Sequence, residues 1–293
     1  SRHWRMRLRP SVNGSAAMAA GGVASSSSDA RIGMRIATAG ILIPVTLALT
    51  WAGGWPFAIL AGLCAALLSR EWARVCGLLN ERWGGWILVA GASLSVLIAG
   101  LPAATGASLL IGSMVTLLVL IWHWASTNRA QAVWLSLGAF TIILTGISVV
   151  WLRKATPEGA YLLTWLLAVV WASDSAAFFV GRRFGGPLLA PSISPSKTWS
   201  GWCGGIVGAG ITGLAVASLF DAPVVFTALI AGMLLGIAGH AGDLFESKLK
   251  RRFDVKDSGG LVPGHGGLLD RLDSLLFAAP AAAALYLAGF RWL

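Results

Sequence analysis

Six of the 12 acidic residues of this chain fall in one stretch near its end, GHAGDLFESKLKRRFDVKDSGGLVPGHGGLLDRLDS, residues 239–274. They are Asp243, Glu246, Asp254, Asp257, Asp270 and Asp273, and Lys248, Lys250, Arg251, Arg252, Lys256 and Arg271 are set among them. Carried on a helix that continues from the apolar run after Val224, His240, Asp243, Glu246, Ser247 and Lys250 recur at three- and four-residue steps and share one face. Asp270 and Asp273 are three apart, with Ser274 beside them, at the start of the next apolar run. Acids converging at the edge of lipid-facing helices repel one another unless they are protonated or bridged by a cation. Asp243, Glu246, Asp270 and Asp273 are therefore candidate metal ligands. Hard oxygen donors of this kind suit Mg²⁺, with a second ion such as K⁺ beside it.

A glycine-rich loop, Ser258-Gly-Gly-Leu-Val-Pro-Gly-His-Gly-Gly267, joins the two acidic faces. Glycine permits tight turns and close approach of a ligand. Gly266 and Gly267 directly precede an expected helix, where free backbone N–H groups favour an anion such as phosphate. His265, wedged between them and Pro263-Gly264, is placed to touch a substrate. Carboxylates for metal, lysines for phosphate and a glycine loop at a helix start are the parts that phosphoryl or nucleotidyl transfer needs. The blander alternative is a solvated connection between helices, which would account for the Lys248–Lys256 run. It accounts less well for Asp243, Asp270 and Asp273, because charge on apolar helices is costly.

A second polar group spans residues 171–201, WASDSAAFFVGRRFGGPLLAPSISPSKTWSG. Asp174 lies within the apolar run that starts at Ala160, and Lys197 lies on a Ser/Pro-rich loop expected to return towards the site. A helix-packing polar pair is the alternative for Asp174, and a solvated loop lysine the alternative for Lys197.

The elements that must position these residues are membrane helices. The chain is 56% hydrophobic and 12% charged, outside the range of ordinary soluble domains, and several runs reach the ~20 residues needed to cross a bilayer. The expected fold is an all-α polytopic membrane protein with about nine spans, near 36–53, 56–75, 84–101, 106–124, 132–152, 159–180, 201–220, 223–247 and 269–290. Three parts are expected: a basic, Ser/Ala/Gly-rich tail (1–33) lacking order, N-terminal helices (34–155) and a catalytic C-terminal region (156–293). With the N-terminus inside, 18 of the 22 Lys and Arg fall on the cytoplasmic side, while Arg153, Lys154 and Arg291 fall outside. Every chemically equipped segment then faces the cytoplasm, where nucleoside triphosphates are. Cys64, Cys76 and Cys203 are isolated and have neither disulfide nor zinc spacing.

The run Ser247-x-Leu-Lys250-Arg, then Lys256-Asp257-Ser-Gly, then Pro263-Gly-His265-Gly-Gly-Leu-x-Asp270-Arg-x-Asp273 resembles the pattern of the phosphatidate cytidylyltransferase (CDP-diacylglycerol synthase) family. The segments Ser173-Asp174-x-x-Ala-x-x-x-Gly181 and Ser194-Pro-x-Lys197-Thr resemble it too. Ser200 stands where that family carries Glu, and Ser175-Ala176 where it more often has Thr-Gly. The resemblance implies a reaction in which CTP and phosphatidic acid give CDP-diacylglycerol and pyrophosphate, with Mg²⁺ required. It implies that Asp243 and Asp270, helped by Asp273 and Glu246, hold metal, and that Ser247 and Lys250 bind phosphate oxygens. Lys197 and Lys256 would offset triphosphate charge, Asp257 would orient Lys256 or the nucleotide, and the glycine loop would cradle it. Membrane lipid is the implied partner and nucleic acid is not; the family also implies a homodimer. The readings from other classes are a transporter with a polar midplane site and another CTP-using lipid enzyme.

Overall fold

The computed structural model describes residues 37–78, 84–126, 129–222, 225–261 and 266–292. The tail 1–33 and His265 lie outside them. Helix α1 spans Ala37–Ala52. It is followed by α2 (Gly54–Val75), α3 (Gly84–Ala99), α4 (Thr105–Ser126), α5 (Arg129–Ala155) and α6 (Gly159–Phe184). A hairpin of β1 (Leu188–Ala190) and β2 (Ser194–Thr198) leads into α7 (Trp199–Leu219) and α8 (Val225–Arg252). The short α9 (Leu269–Leu272) and α10 (Leu275–Leu287) close the described chain. The described part of each run expected to cross a bilayer is mainly helical, so the polytopic helical fold stands, with one small antiparallel hairpin added to it.

Among the described residues six helices, α2 and α4–α8, are long and apolar enough to span a membrane. α1 and the helical part of the third run are shorter. The ninth run is divided, because α9 stops at Leu272 and α10 then runs for only 13 residues with Pro280 inside it. Composition registers an apolar run but not the point where its helix breaks.

Inside the bundle the hydroxyls of α5 bond back along their own helix, as in Ser136 to Ala132 and Thr141 to Leu137, each 2.8 Å. This satisfies polar groups where no water is present. Thr145 Oγ1 also donates across to Leu276 O at 2.8 Å, joining α5 to α10. Trp72 of α2 donates to Trp134 O and Trp165 of α6 to Gly213 O, so both buried indoles are paired. The outward face of α4, with Leu110, Met114, Leu117 and Ile121, is exposed and apolar, as a face against lipid must be.

Two features place the site. With 28 residues, α8 is about 42 Å long, and its apolar half puts His240 and Asp243 about 23–27 Å from its start. That is close to the far edge of a hydrocarbon layer ~30 Å thick. α6 and α7 cross closely at the same end: a Cβ on Gly201 would stand 3.2 Å from Gly181 Cα, so only small residues fit the crossing. The hairpin bridges these two helices. It leaves α6 through Gly185 and Gly186, both at positive φ, and enters α7 at Thr198, whose side chain accepts the Gly201 N–H at 3.2 Å as a helix cap.

Candidate active site

A cleft of about 600 Å³ opens where the polar end of α8 meets α6, the hairpin, α7 and the turn at α9. Asp174, Lys197, His240, Asp243, Asp270 and Asp273 all line it. These six come from four separate places in the sequence, and the cleft unites the two polar groups seen there. Phe178, Leu189, Trp202 and Leu244 also line it, so charged and apolar surface share one cavity.

The charges are already partnered. Lys197 Nζ forms an ion pair with Asp243 Oδ2. Lys250 Nζ lies 2.7 Å from Glu246 Oε2 and 3.0 Å from Asp270 Oδ1, so one ammonium bridges two acids. Glu246 is wholly buried in that arrangement. Asp174 Oδ1 accepts a hydrogen bond of 3.1 Å from Ser274 Oγ. Asp270 further accepts the backbone N–H groups of Ser258 at 3.3 Å and Gly267 at 3.1 Å. The Gly267 N–H expected to be open to an anion is thus held by Asp270.

Asp270 and Asp273 lie at the α9 turn, outside the six long helices, and their environments push them in opposite directions. Burial raises the Asp270 carboxyl, but the hydrogen bond and charge of Lys250 and the Gly267 N–H outweigh it and hold it below its ordinary value. Asp273 is driven well above its ordinary value, first by burial and then by the charges of Asp243 and Glu246. Asp273 thus combines burial with the negative charges of Asp243 and Glu246 close by.

Some expected site residues lie elsewhere. Ser247 is half-buried on α8 and does not line the cleft. Lys256 and Asp257 are exposed and also outside its lining. After Arg252 the chain turns through Asp254 at a φ of 53°, which carries this segment away from the α8 face. Ser200 does not face the cleft either: its hydroxyl donates to Gly185 O and meets Thr198 Oγ1, tying the hairpin's entry to its exit. Among the described residues no three Asp, Glu, His or Cys side chains are arranged as a ready metal cage.

Two participants were not foreseen. Arg182 lines the cleft from α6. Glu71 of α2 is buried against the described ends of the glycine loop and accepts the Leu269 N–H at 2.7 Å. A signal for Glu71 was available, because it shares a helix face with Leu68 and Val75, three residues before and four after, both buried.

Long apolar helices around a charged cleft define a multi-pass helical membrane protein whose site sits at the polar end of its spans. The chain belongs to the cytidylyltransferase family, whose profile matches residues 33–288. It is 40% identical over 262 residues to the phosphatidate cytidylyltransferase of Brucella suis, covering 87% of this chain and 92% of that one. The enzyme of the same name from Pseudomonas aeruginosa is 35% identical, over 86% of this chain and 95% of its own. That from Staphylococcus saprophyticus is 32% identical, over 84% and 96%.

Proposed function

We propose that this protein transfers the cytidylyl group of CTP to phosphatidic acid, giving CDP-diacylglycerol and pyrophosphate. The observation that carries the reading is the single cleft in which Asp174, Asp243, Asp270 and Asp273 meet Lys197 at the end of membrane helices. Relatives that bear the phosphatidate cytidylyltransferase name support it along nearly their whole length.

In this reaction an oxygen of the lipid's phosphate monoester forms a bond to the α-phosphorus of CTP, and the bond to the pyrophosphate oxygen breaks. Both reactants are anionic, so alignment and neutralisation of charge are the main tasks. Lys197, freed from Asp243, would lie against the triphosphate, and Arg182 would add positive charge from α6. The phosphate monoester is already ionised near neutral pH, so no separate base is required. Phe178, Trp202 and Leu244 give the cleft an apolar surface on which the glycerol and upper acyl carbons can rest while the tails stay in the bilayer.

The donor set fits Mg²⁺: hard carboxylate oxygens of Asp243 and Asp273 share the cleft, and their mutual repulsion at Asp273 is what a divalent cation relieves. Asp270 and Glu246, now held by Lys250, stand next to them. When bound there, the ion would screen the phosphates from one another and from the acids. We assign the cleft to the cytoplasmic face of the inner membrane; the excess of Lys and Arg on that side, with the N-terminus inside, supports this assignment.

The test is the purified chain with labelled CTP, phosphatidic acid vesicles and Mg²⁺, followed by lipid extraction. Label should enter the lipid only when phosphatidic acid is present. Absence of lipid label from active preparations, or labelling that ignores the acceptor, overturns the proposal.

A further inference from the structure

Among the described residues α2 supplies nothing to the lining of the cleft, yet it holds an acid that is 1% exposed, Glu71. Glu71 Oε2 accepts the backbone N–H of Leu269 at 2.7 Å and the hydroxyl of Ser258 at 3.4 Å, from residues 198 and 187 positions away. The described ends of the glycine loop rest on the same carboxylate. A Cβ on Gly259 would stand 2.6 Å from Oε1, and one on Gly267 would stand 2.9 Å from Oε2.

On the other side of this turn Asp270 accepts the N–H groups of Ser258 and Gly267. Two carboxylates from distant parts of the chain therefore grip the same two ends of one loop, and of the two only Asp270 faces the cleft. A buried carboxylate is costly to maintain, and an apolar residue would pack at this point of α2 without that cost. Trp72, next in sequence, packs on Phe245 of α8 with ring centroids 5.7 Å apart. The carboxylate thus sits on a helix that is itself fixed to the helix bearing Asp243.

We infer that Glu71 is a positioning residue: it fixes the described ends of the glycine loop, Ser258–Gly259 and Gly267–Leu269, against α2, so that Asp270 and Asp273 are presented to the cleft. The inference rests on the proposed reaction for its kinetic consequence, but its structural part stands apart from it.

The test compares Glu71→Leu, which keeps volume but removes the acceptor, with Glu71→Gln, which keeps an amide oxygen to receive the Leu269 N–H. Both are made in the full chain in lipid nanodiscs. In Glu71→Leu, amide hydrogen exchange over residues 256–270 should quicken about 10-fold or more while α5 and α6 stay as in the wild type. The KM for CTP should rise about 10-fold, the loss expected for one hydrogen bond to a charged group, with the KM for phosphatidic acid little changed. Glu71→Gln should stay near the wild type on both measures. Wild-type loop exchange and CTP dependence in Glu71→Leu would overturn the inference, as would equal impairment of both variants with faster exchange throughout. Should Glu71→Leu not fold, Gly259→Ala takes its place by pressing on Oε1 from the loop side. It should show the same local quickening, and unchanged exchange there overturns the inference. A wild-type chain that moves no label from CTP to lipid would instead sink the proposed reaction, leaving the exchange comparison to decide on Glu71.

Discussion

Lys197 of the hairpin is ion-paired with Asp243 of α8, which closes the cleft with an internal salt bridge between a residue proposed for triphosphate and one proposed for metal. Each side chain is 25% exposed, but Lys197 Nζ itself is shielded from water, so the pair parts only when replacement partners are on hand. Binding of substrate and cation can then exchange this bridge for two stronger ones without leaving either charge bare.

Asp243→Asn should lower transfer of label from CTP by about 100-fold or more, and the thermal melting of the purified protein should also fall, because Lys197 Nζ is left buried without its acid. Lys197→Met should also lose activity, and the two losses should not add in the double variant. A double-mutant cycle on turnover checks this.

Lys250 answers for stability more than Lys197 does. Its removal in Lys250→Met leaves Glu246 wholly buried without its cation, and loss of one member of such a pair costs about 3 kcal/mol or more. Adding Glu246→Gln should restore a good part of that loss. Melting of the single and double variants in the same detergent measures it.

Asp270 sets a dependence on pH. Because its carboxyl is held below the ordinary value, chiefly by Lys250 against the opposing effect of burial, its contribution is fully present above the unfolded-state pKa. It is lost as the pH falls through the lower folded value. The melting temperature of wild type minus that of Asp270→Asn, measured with chelator from neutral to acid pH, should be largest near pH 7 and shrink towards acid.

Gly205 leaves room for His240, since a Cβ there would collide with the imidazole Nε2 and stand 3.0 Å from Ser173 O. Gly205→Ala should destabilise by about 1–3 kcal/mol and reduce turnover by displacing a residue of the cleft wall. The second change His240→Ala should recover stability but not turnover, as melting and label transfer together would show.

Magnesium alone, without CTP, should raise the melting temperature, because it relieves the crowding of carboxylates at Asp273. Asp273→Asn should remove most of that rise. Titration with and without chelator checks both.

The local half of the site was legible in the sequence. Three- and four-residue spacing puts His240, Asp243, Glu246, Ser247 and Lys250 on one face, and of these the structure sets His240 and Asp243 in the lining of the cleft; Asp174, an acid within an apolar run, and Lys197, on a loop expected to return to the site, join them. What spacing cannot convey is which acid takes which lysine. Lys250 chose Glu246 and Asp270, a choice set by the packing of α8 on the α9 turn. Lys256 and Asp257 sit beside the motif in sequence but outside the cleft, because one left-handed residue, Asp254, redirects the chain. Glu71 carries no local sign of its partners, which are 187 and 198 residues away. The hairpin escaped because strands of three and five residues leave no periodicity to detect.

The hairpin is strung between two helices that touch backbone to backbone, and this limits how its length can vary. Its two roots cannot move apart, so a residue gained or lost within either strand has to be absorbed as a bulge or as a change of register that turns over the side chains of that strand. The apex is tied to α8, where Arg251 Nε donates to Ile193 O at 3.2 Å, so a fluorophore grafted at residues 191–192 would report from beside Lys197 on how firmly the hairpin is held to the helix that bears Asp243.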